Sequence, residues 1–261
     1  MHDNEPRVPG LASRLYSVWY RHMRVYTRNL ISNGLPPFLE PLIFLVGIGL
    51  GLGRYIQSMD SMPYLVFLAT GLPVTSAMFT SAYECTFGTF VRLEFQKAYD
   101  GMIASPITIC DLFVGEMLWA GSKGIFFSAC VVAVLSSFGA IPLPAGLLAL
   151  PVGFLTGAMF GAISLLVTSF VQNINHFNFY FTGLLSPMFF FAGTVFPIES
   201  LPKFLRPVAE ILPLTHAVRL NRSLIVARLS PILVLDFAFM AVVIVLAGGY
   251  AIKRLRRRIV V

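Results

Sequence analysis

The sequence predicts an all-α integral membrane domain, and three observations carry that expectation. Only 12% of the 261 residues are charged while 57% are hydrophobic, whereas soluble domains carry roughly 25% charge. The apolar residues gather in six runs, each close to the roughly 20 residues a helix needs to cross a bilayer. The basic residues flank those runs, so the net charge of +7 reads as the cytoplasmic bias of a membrane protein and not as a nucleic-acid footprint.

Residues 1–10 are polar and contain proline, with no short apolar run ahead of a small-residue cleavage site, so no cleaved signal peptide is expected. Residues 11–30 follow as an amphipathic helix. At about 100° per residue, Arg14, Ser17, Arg21, Arg24 and Arg28 share one arc, opposite Leu11, Leu15, Val18, Trp19, Val25, Tyr26 and Leu30. That division suits a helix lying in the interface, guanidinium groups toward lipid phosphates and Trp19 at the boundary. A surface helix packed on a core has the same periodicity. Asn33, Gly34, Pro36 and Pro37 then break it. Residues 1–34 are thus a cytoplasmic tail with an interfacial helix, and 35–261 a six-span domain.

The spans are read at about 35–52, 62–83, 112–138, 147–171, 177–196 and 232–252. The first tolerates Glu40 and the third carries Glu116 and Lys123. Pro142 and Pro144 turn the chain before the fourth, a polar break at 172–176 precedes the fifth, and the sixth ends on Lys253, Arg254, Arg256, Arg257 and Arg258. Six crossings put both termini on one side. With both inside, the cytoplasm receives the five N-terminal arginines, Arg92, Lys97 and the C-terminal basic cluster. The exterior receives Arg54, Lys203, Arg206, Arg219, Arg222 and Arg228, which weakens the bias without reversing it.

In the external segment 196–231, Pro197, Pro202, Pro207 and Pro213 interrupt the chain, yet Phe204, Leu205, Val208, Ile211 and Leu212 keep helical spacing. Two short helices at about 200–228, joined at 212–214 and dipping into the outer leaflet, fit that pattern. Ser200 and Thr215 are their candidate caps. Such a segment serves either as a lid or as a plain surface loop.

Segment 87–107 is the one long cytoplasmic connection, and it alternates charges with aromatics. Glu94 and Lys97 are spaced to pair, and Phe90, Phe95 and Tyr99 suit a hydrophobic groove on a partner. Ser105 and Pro106 end the helix, and Thr108 with Asp111 forms a capping box for the third span.

Glu116 and Lys123, seven apart, share a helix face. Lys123 needs a carboxylate, with Glu116, Glu84 or Glu40 available. Buried charges of this kind either line a pathway or tie helices together. The fifth span crowds Phe177, Phe179, Tyr180, Phe181, Phe189, Phe190, Phe191 and Phe196, rings that suit an amphiphile and equally serve as lipid-facing filler. The four histidines (His2, His22, His176, His216) are scattered, and Cys85, Cys110 and Cys130 have no metal-type spacing. No catalytic set, metal site or disulfide is expected.

Three stretches together resemble the permeases of type-2 ABC exporters: the basic N-terminal helix, the run from Arg92-Leu93-Glu94 to Ala104-Ser105-Pro106, and the external Phe196-Pro197-Ile198-Glu199-Ser200-Leu201-Pro202 with Leu212-Pro213-Leu214-Thr215-His216. The resemblance implies a coupling helix at about 90–105, re-entrant helices at about 201–225 and a pathway between two six-span halves. It also implies a homodimer bound to two separate ATPase subunits in a bacterial inner membrane. The string 115–123 has the wrong order for a phosphate-binding loop, so ATP and Mg belong on those subunits and no cofactor in this chain. The cargo implied is amphiphilic: a lipo-oligosaccharide first, then a polysaccharide or hydrophobic drug.

In this reading Phe90, Arg92, Glu94, Phe95, Lys97 and Tyr99 couple to the ATPase. Glu116, Lys123, Phe181, Phe189 and Phe190 are pathway candidates. Phe196, Pro197, Pro202, Pro213 and His216 form an external gate, and Arg14, Arg21, Arg24 and Arg28 hold the interface. The rival classes are a membrane-embedded lipid-modifying enzyme, which would call for paired Asp or His at a membrane surface, and a non-transporting scaffold, which would not need the cytoplasmic helix.

Overall fold

The computed structural model describes residues 9–29, 35, 39, 42–53, 55–56 and 58–259. Its main helices are α1 (Leu11–Thr27), α2 (Tyr64–Tyr83), α3 (Ala98–Ile103), α4 (Ile109–Ser137), α5 (Ala149–Phe170), α6 (Arg206–Ile211), α7 (Pro213–Ile225) and α8 (Ile232–Ile259). A small hairpin of β1 (Ser58–Met59) and β2 (Met62–Pro63) precedes α2. Its two turn residues, Asp60 and Ser61, both hold positive φ (52° and 60°), the geometry that matches the twist of paired strands.

Among the described residues, four helical stretches are long and apolar enough to cross a membrane: Tyr64–Phe95, Ile109–Ser137, Leu143–Phe170 and Ile232–Ile259. The last is 28 residues, about 42 Å at 1.5 Å per residue, so it outreaches a hydrocarbon core of roughly 30 Å and carries its basic end beyond it. Val234, Leu235, Phe237, Val245 and Leu246 on this helix are exposed, a continuous apolar surface that lipid covers far more cheaply than water.

The region read as the first span is helical over 42–53, widening into a π turn at Leu45–Leu50; Glu40, Arg54 and the breaking residues 33, 34, 36 and 37 lie outside the described residues. The fifth run is short. It consists of Phe177–Tyr180, a π turn at Phe181–Leu185 and Ser186–Phe191, about 22 Å in all. Pro187 has no N–H to give to the carbonyl four residues back, which is where the π turn sits, and Gly193 at φ 82° then ends the run. The helix therefore stops before Phe196.

Small residues bring α4 and α5 into backbone contact. A Cβ on Gly124 would lie 2.2 Å from the Gly153 carbonyl oxygen, and one on Gly157 would lie 2.6 Å from that of Ala120. Where both chains lack side chains the axes approach closely, and van der Waals contact replaces the hydrophobic drive that is absent in lipid. Ser81 donates to the Ala120 carbonyl (3.1 Å) and Ser128 to that of Pro73 (3.0 Å), lacing α2 to the same seam.

Helix α1 lies along α4. Val18 and His22 are buried, Arg14 pairs with Asp111 at 3.2 Å, and Trp19 Nε1 donates to Ser122 at 2.9 Å. The protein-facing edge thus runs through Val18 and His22, at the margin of the apolar arc, while Leu11 and Val25 from that arc stay exposed with Tyr16 and Tyr20. Arg24 and Arg28 face outward and Arg14 and Arg21 are half-buried.

The connection that follows α2 departs from the expected single helix at 90–105. The second span's helix continues through π turns at Glu84–Gly88 and Val91–Phe95, breaks at Lys97, and restarts as the short α3. Lys97 holds φ 50°, the left-handed conformation in which helices commonly end. The capping box opening α4 forms as expected: Asp111 N–H donates to Thr108 Oγ1 (3.1 Å) and Thr108 N–H to Asp111 Oδ2 (2.9 Å). Near the start of the last long helix, α6 and α7 are the two short helices joined at Leu212. Neither Ser200 nor Thr215 caps them; Ser200 sits in a 3-10 turn at Ile198–Ser200, and Thr215 donates its hydroxyl to the Ala209 carbonyl (2.5 Å), folding α7 back on α6.

Candidate functional site

The π turns after α2 re-aim the residues that follow them, so that Glu84 and Arg92, eight apart, meet: Arg92 Nη1 lies 2.7 Å from Glu84 Oε1. The other Glu84 oxygen accepts from Lys123 Nζ at 3.0 Å. Arg92 Nη2 is 3.2 Å from Glu116 Oε1, whose second oxygen accepts from Thr89 at 2.9 Å. Tyr99 receives a hydrogen bond from Arg92 Nε (3.2 Å) and donates its own proton to Glu116 in a close contact. Two carboxylates and two cations balance in the interior. Removing one member would leave a buried charge uncompensated, a cost of about 3–5 kcal/mol.

Two groups of this network lie outside the spanning helices. Burial and the neighbouring Glu116 push the Tyr99 phenol well above its ordinary range, so it stays a donor. His22 stacks on Trp119 (centroids 6.2 Å apart), with Nε2 3.6 Å from Glu116 Oε1. Burial, then the charge of Arg92, lowers its pKa to about 4 against the pull of Glu116. The imidazole is neutral at pH 7 and makes no ion pair. A cleft of about 460 Å³ opens beside the network, walled by Arg21, Tyr26, Phe87, Arg92, Trp119 and Lys123.

The structure therefore gathers Arg92, Tyr99, Glu116 and Lys123, which the sequence distributed between coupling and pathway roles. It separates the coupling aromatics. Phe90 is buried against Phe177 (5.6 Å) and Tyr99 is fully buried, so neither is available to plug into a partner. Phe95 is 67% exposed. Lys97 is exposed, and Glu94 pairs with Arg258 at 2.8 Å instead of with Lys97. Lys123 finds its carboxylate in Glu84, not Glu116. Of the fifth-run rings, Phe181 stacks on Tyr83 (4.2 Å) and Phe189 meets Phe44 (5.5 Å), both buried, while Phe190 is exposed.

Residues of α6, α7 and α8 form a second network. His216 Nδ1 lies 2.7 Å from Asp236 Oδ1 and its ring stacks on Phe239. Arg219 bridges Asp236 (2.7 Å) and Glu210 (2.9 Å). Arg222 donates to the Phe67 and Gly193 carbonyls (3.0 and 2.9 Å) and to the Thr70 hydroxyl (3.0 Å), and burial lowers its pKa to about 10. Helix α7 is latched to α2 and α8. Phe196 and Pro197 are half-buried beside it, Pro202 is exposed, and Pro213 begins α7. Among the described residues no three His, Cys, Asp or Glu side chains converge as a metal site.

Sequence reasoning missed His22, Arg222, Arg258 and the pairing of Asp236. His22 had a legible signal, since it lies four residues after Val18 on the docking edge. Asp236 had another, as the lone acid inside the last apolar run.

The ABC-2 type transporter family matches residues 13–226. Nodulation protein J of Sinorhizobium fredii (strain NBRC 101917 / NGR234) is 31% identical over 243 residues, 93% of each chain. Nodulation protein J of Rhizobium meliloti (strain 1021) is 33% identical over 208 residues, 80% of this chain and 79% of its own. The inner membrane transport permease YadH of Escherichia coli (strain K12) is 21% identical over 204 residues, 78% of this chain and 79% of its own.

Proposed function

This chain belongs to the ABC-2 type transporter family, and from that premise we propose that it is the permease subunit of an ATP-driven exporter in a bacterial inner membrane. It crosses the membrane six times with both termini in the cytoplasm, and pairs with a second copy of itself. Two separate ATPase subunits supply ATP hydrolysis with Mg. The cargo is amphiphilic, with a lipo-oligosaccharide as first choice, in keeping with the nodulation proteins among its relatives.

The observation that best supports this reading is the junction of Arg92, Tyr99 and Glu116. Phe95, Lys97, Asp100 and 104–106 are exposed, while Tyr99, from the same short stretch, is anchored by hydrogen bond to a carboxylate inside α4. An ATPase pressing on the exposed side moves α4 through that buried contact, without the slack a solvated loop would introduce. Closure of the motors then rotates the spans and turns an inner cavity outward. The Glu84–Lys123 pair extends the same unit deeper into α4, so these charges transmit force as well as flanking the cleft.

The test is copurification. Phe95→Asp is expected to lower recovery of the ATPase with the membrane-inserted chain at least tenfold, while Phe204→Asp, at a residue 75% exposed on the external α6 side, leaves it unchanged. Wild-type ATPase recovery with Phe95→Asp would reject the docking face and the mechanism built on it.

A further inference from the structure

Arg258, near the end of α8, reaches across three helix ends. Its Nη1 donates to the Thr168 and Val171 carbonyls at 3.0 and 2.7 Å, which belong to the C-terminal turn of α5, where carbonyls lack helical partners and carry the negative end of the helix dipole. Its Nη2 pairs with Glu94 at 2.8 Å, and the guanidinium lies 5.7 Å from the Phe90 ring. Glu94 is three residues before the left-handed break at Lys97, so the ion pair grips the chain immediately before α3. Arg254, one turn earlier on α8, stacks over Phe170 at 3.8 Å, and Thr168 also donates to the Cys85 carbonyl at 2.8 Å.

The geometry leads us to infer that Arg258 is a positioning residue for energy coupling: it clasps the chain ahead of α3 to the ends of α5 and α8, so that a push on α3 is shared with those two helices. This rests on the permease reading above. The arrangement divides the load at the neck. Arg92 and Tyr99 tie it to α4 on one side, and Glu94 ties it through Arg258 to α5 and α8 on the other. A fork of donors in one plane is required, because two carbonyls and one carboxylate are engaged at once; a lysine ammonium lacks the reach and the planarity to hold all three. A basic tail that served only to set orientation in the membrane would have no need of a specific arginine bound to α5 carbonyls.

The test uses spin labels on Gly101 in α3 and Leu246 in α8, in a background with the native cysteines replaced, with the chain reconstituted in nanodiscs together with its ATPase. In the wild type the distance distribution between the labels stays equally narrow in the nucleotide-free and vanadate-trapped states, because α3 and α8 move together. In Arg258→Ala it widens at least twofold on trapping, while ATPase binding is retained. Arg258→Lys restores part of the narrowing, and Glu94→Gln, which leaves the α5 carbonyl contacts intact, widens it where Arg258→Ala fails to insert. An equally narrow distribution in Arg258→Ala or in Glu94→Gln would overturn the clasp. A wild-type chain that binds no ATPase would instead overturn the permease reading beneath it.

Discussion

His22 sits where a proton would be unwelcome, buried between Trp119 and Glu116 with Arg92 close by, and its pKa falls to about 4 from an ordinary 6.5. The folded state therefore releases a proton that the unfolded chain retains between those two pH values. Stability is unaffected above about pH 6.5, declines as pH falls toward 4, and levels off below. The full loss is on the order of 3 kcal/mol. Thermal unfolding of the purified chain at pH 7.5 and 4.5, compared with His22→Phe, should show a drop in the wild type that the variant lacks. An identical pH dependence in the two would mean the imidazole is not held neutral. Lys97 illustrates a different residue-scale effect. Its left-handed backbone costs a non-glycine residue about 1 kcal/mol, and its position in the chain, where the long helix must stop and α3 begin, accounts for that strain better than its charge does.

Among the elements, the α4–α5 seam has the least tolerance. A methyl group at Gly124 would collide with a backbone oxygen, not with a side chain that could swing aside, so Gly124→Ala should cost about 1–3 kcal/mol as the helices are forced apart. Gly101→Ala in α3, with nothing within 4 Å, should be neutral or stabilising by up to about 1 kcal/mol. Denaturant or thermal unfolding in detergent measures both, and equal stability of the two variants would show that the seam gives way more easily than its geometry implies. The spacing Gly153, Gly157, Gly161 was present in the sequence as a four-residue repeat of small residues, a recognised signal for close helix approach. The fifth run teaches the opposite lesson: its apolar residues were read as a span over 177–196, and Pro187 with Gly193 reshaped it.

At the scale of the whole molecule, the two charge networks occupy opposite ends of the long helices, one where α2, α4 and α1 meet near α3, the other where α7 meets α2 and α8. The proposed orientation places the first in the cytoplasm and the second outside. Single cysteines at Gly101 and Phe204 test it with a membrane-impermeant thiol reagent in intact cells. Phe204→Cys should react from outside, and Gly101→Cys only after permeabilisation; the reverse pattern would invert the topology. The latch of Arg222 on the Phe67 and Gly193 carbonyls also bears on this scale, since it makes α7 an integral part of the bundle and any opening at this end a movement of α2 and α7 together.

The sequence by itself determined the membrane class, the basic amphipathic α1, the long apolar helices, the capping box at Thr108 and Asp111, and the two short helices joined at Leu212. Each follows from local chemistry: hydropathy over some twenty residues, a 3.6-residue period, or hydrogen bonds between neighbours three apart. Only the tertiary structure decided that Glu84 serves both Arg92 and Lys123, that Phe90 and Tyr99 face inward, that His22 is held neutral, and that Arg258 reaches Glu94. Those choices depend on which helix faces lie within about 3 Å of one another, a distance set by packing of side chains far apart in the chain and therefore carried by no local pattern of residues.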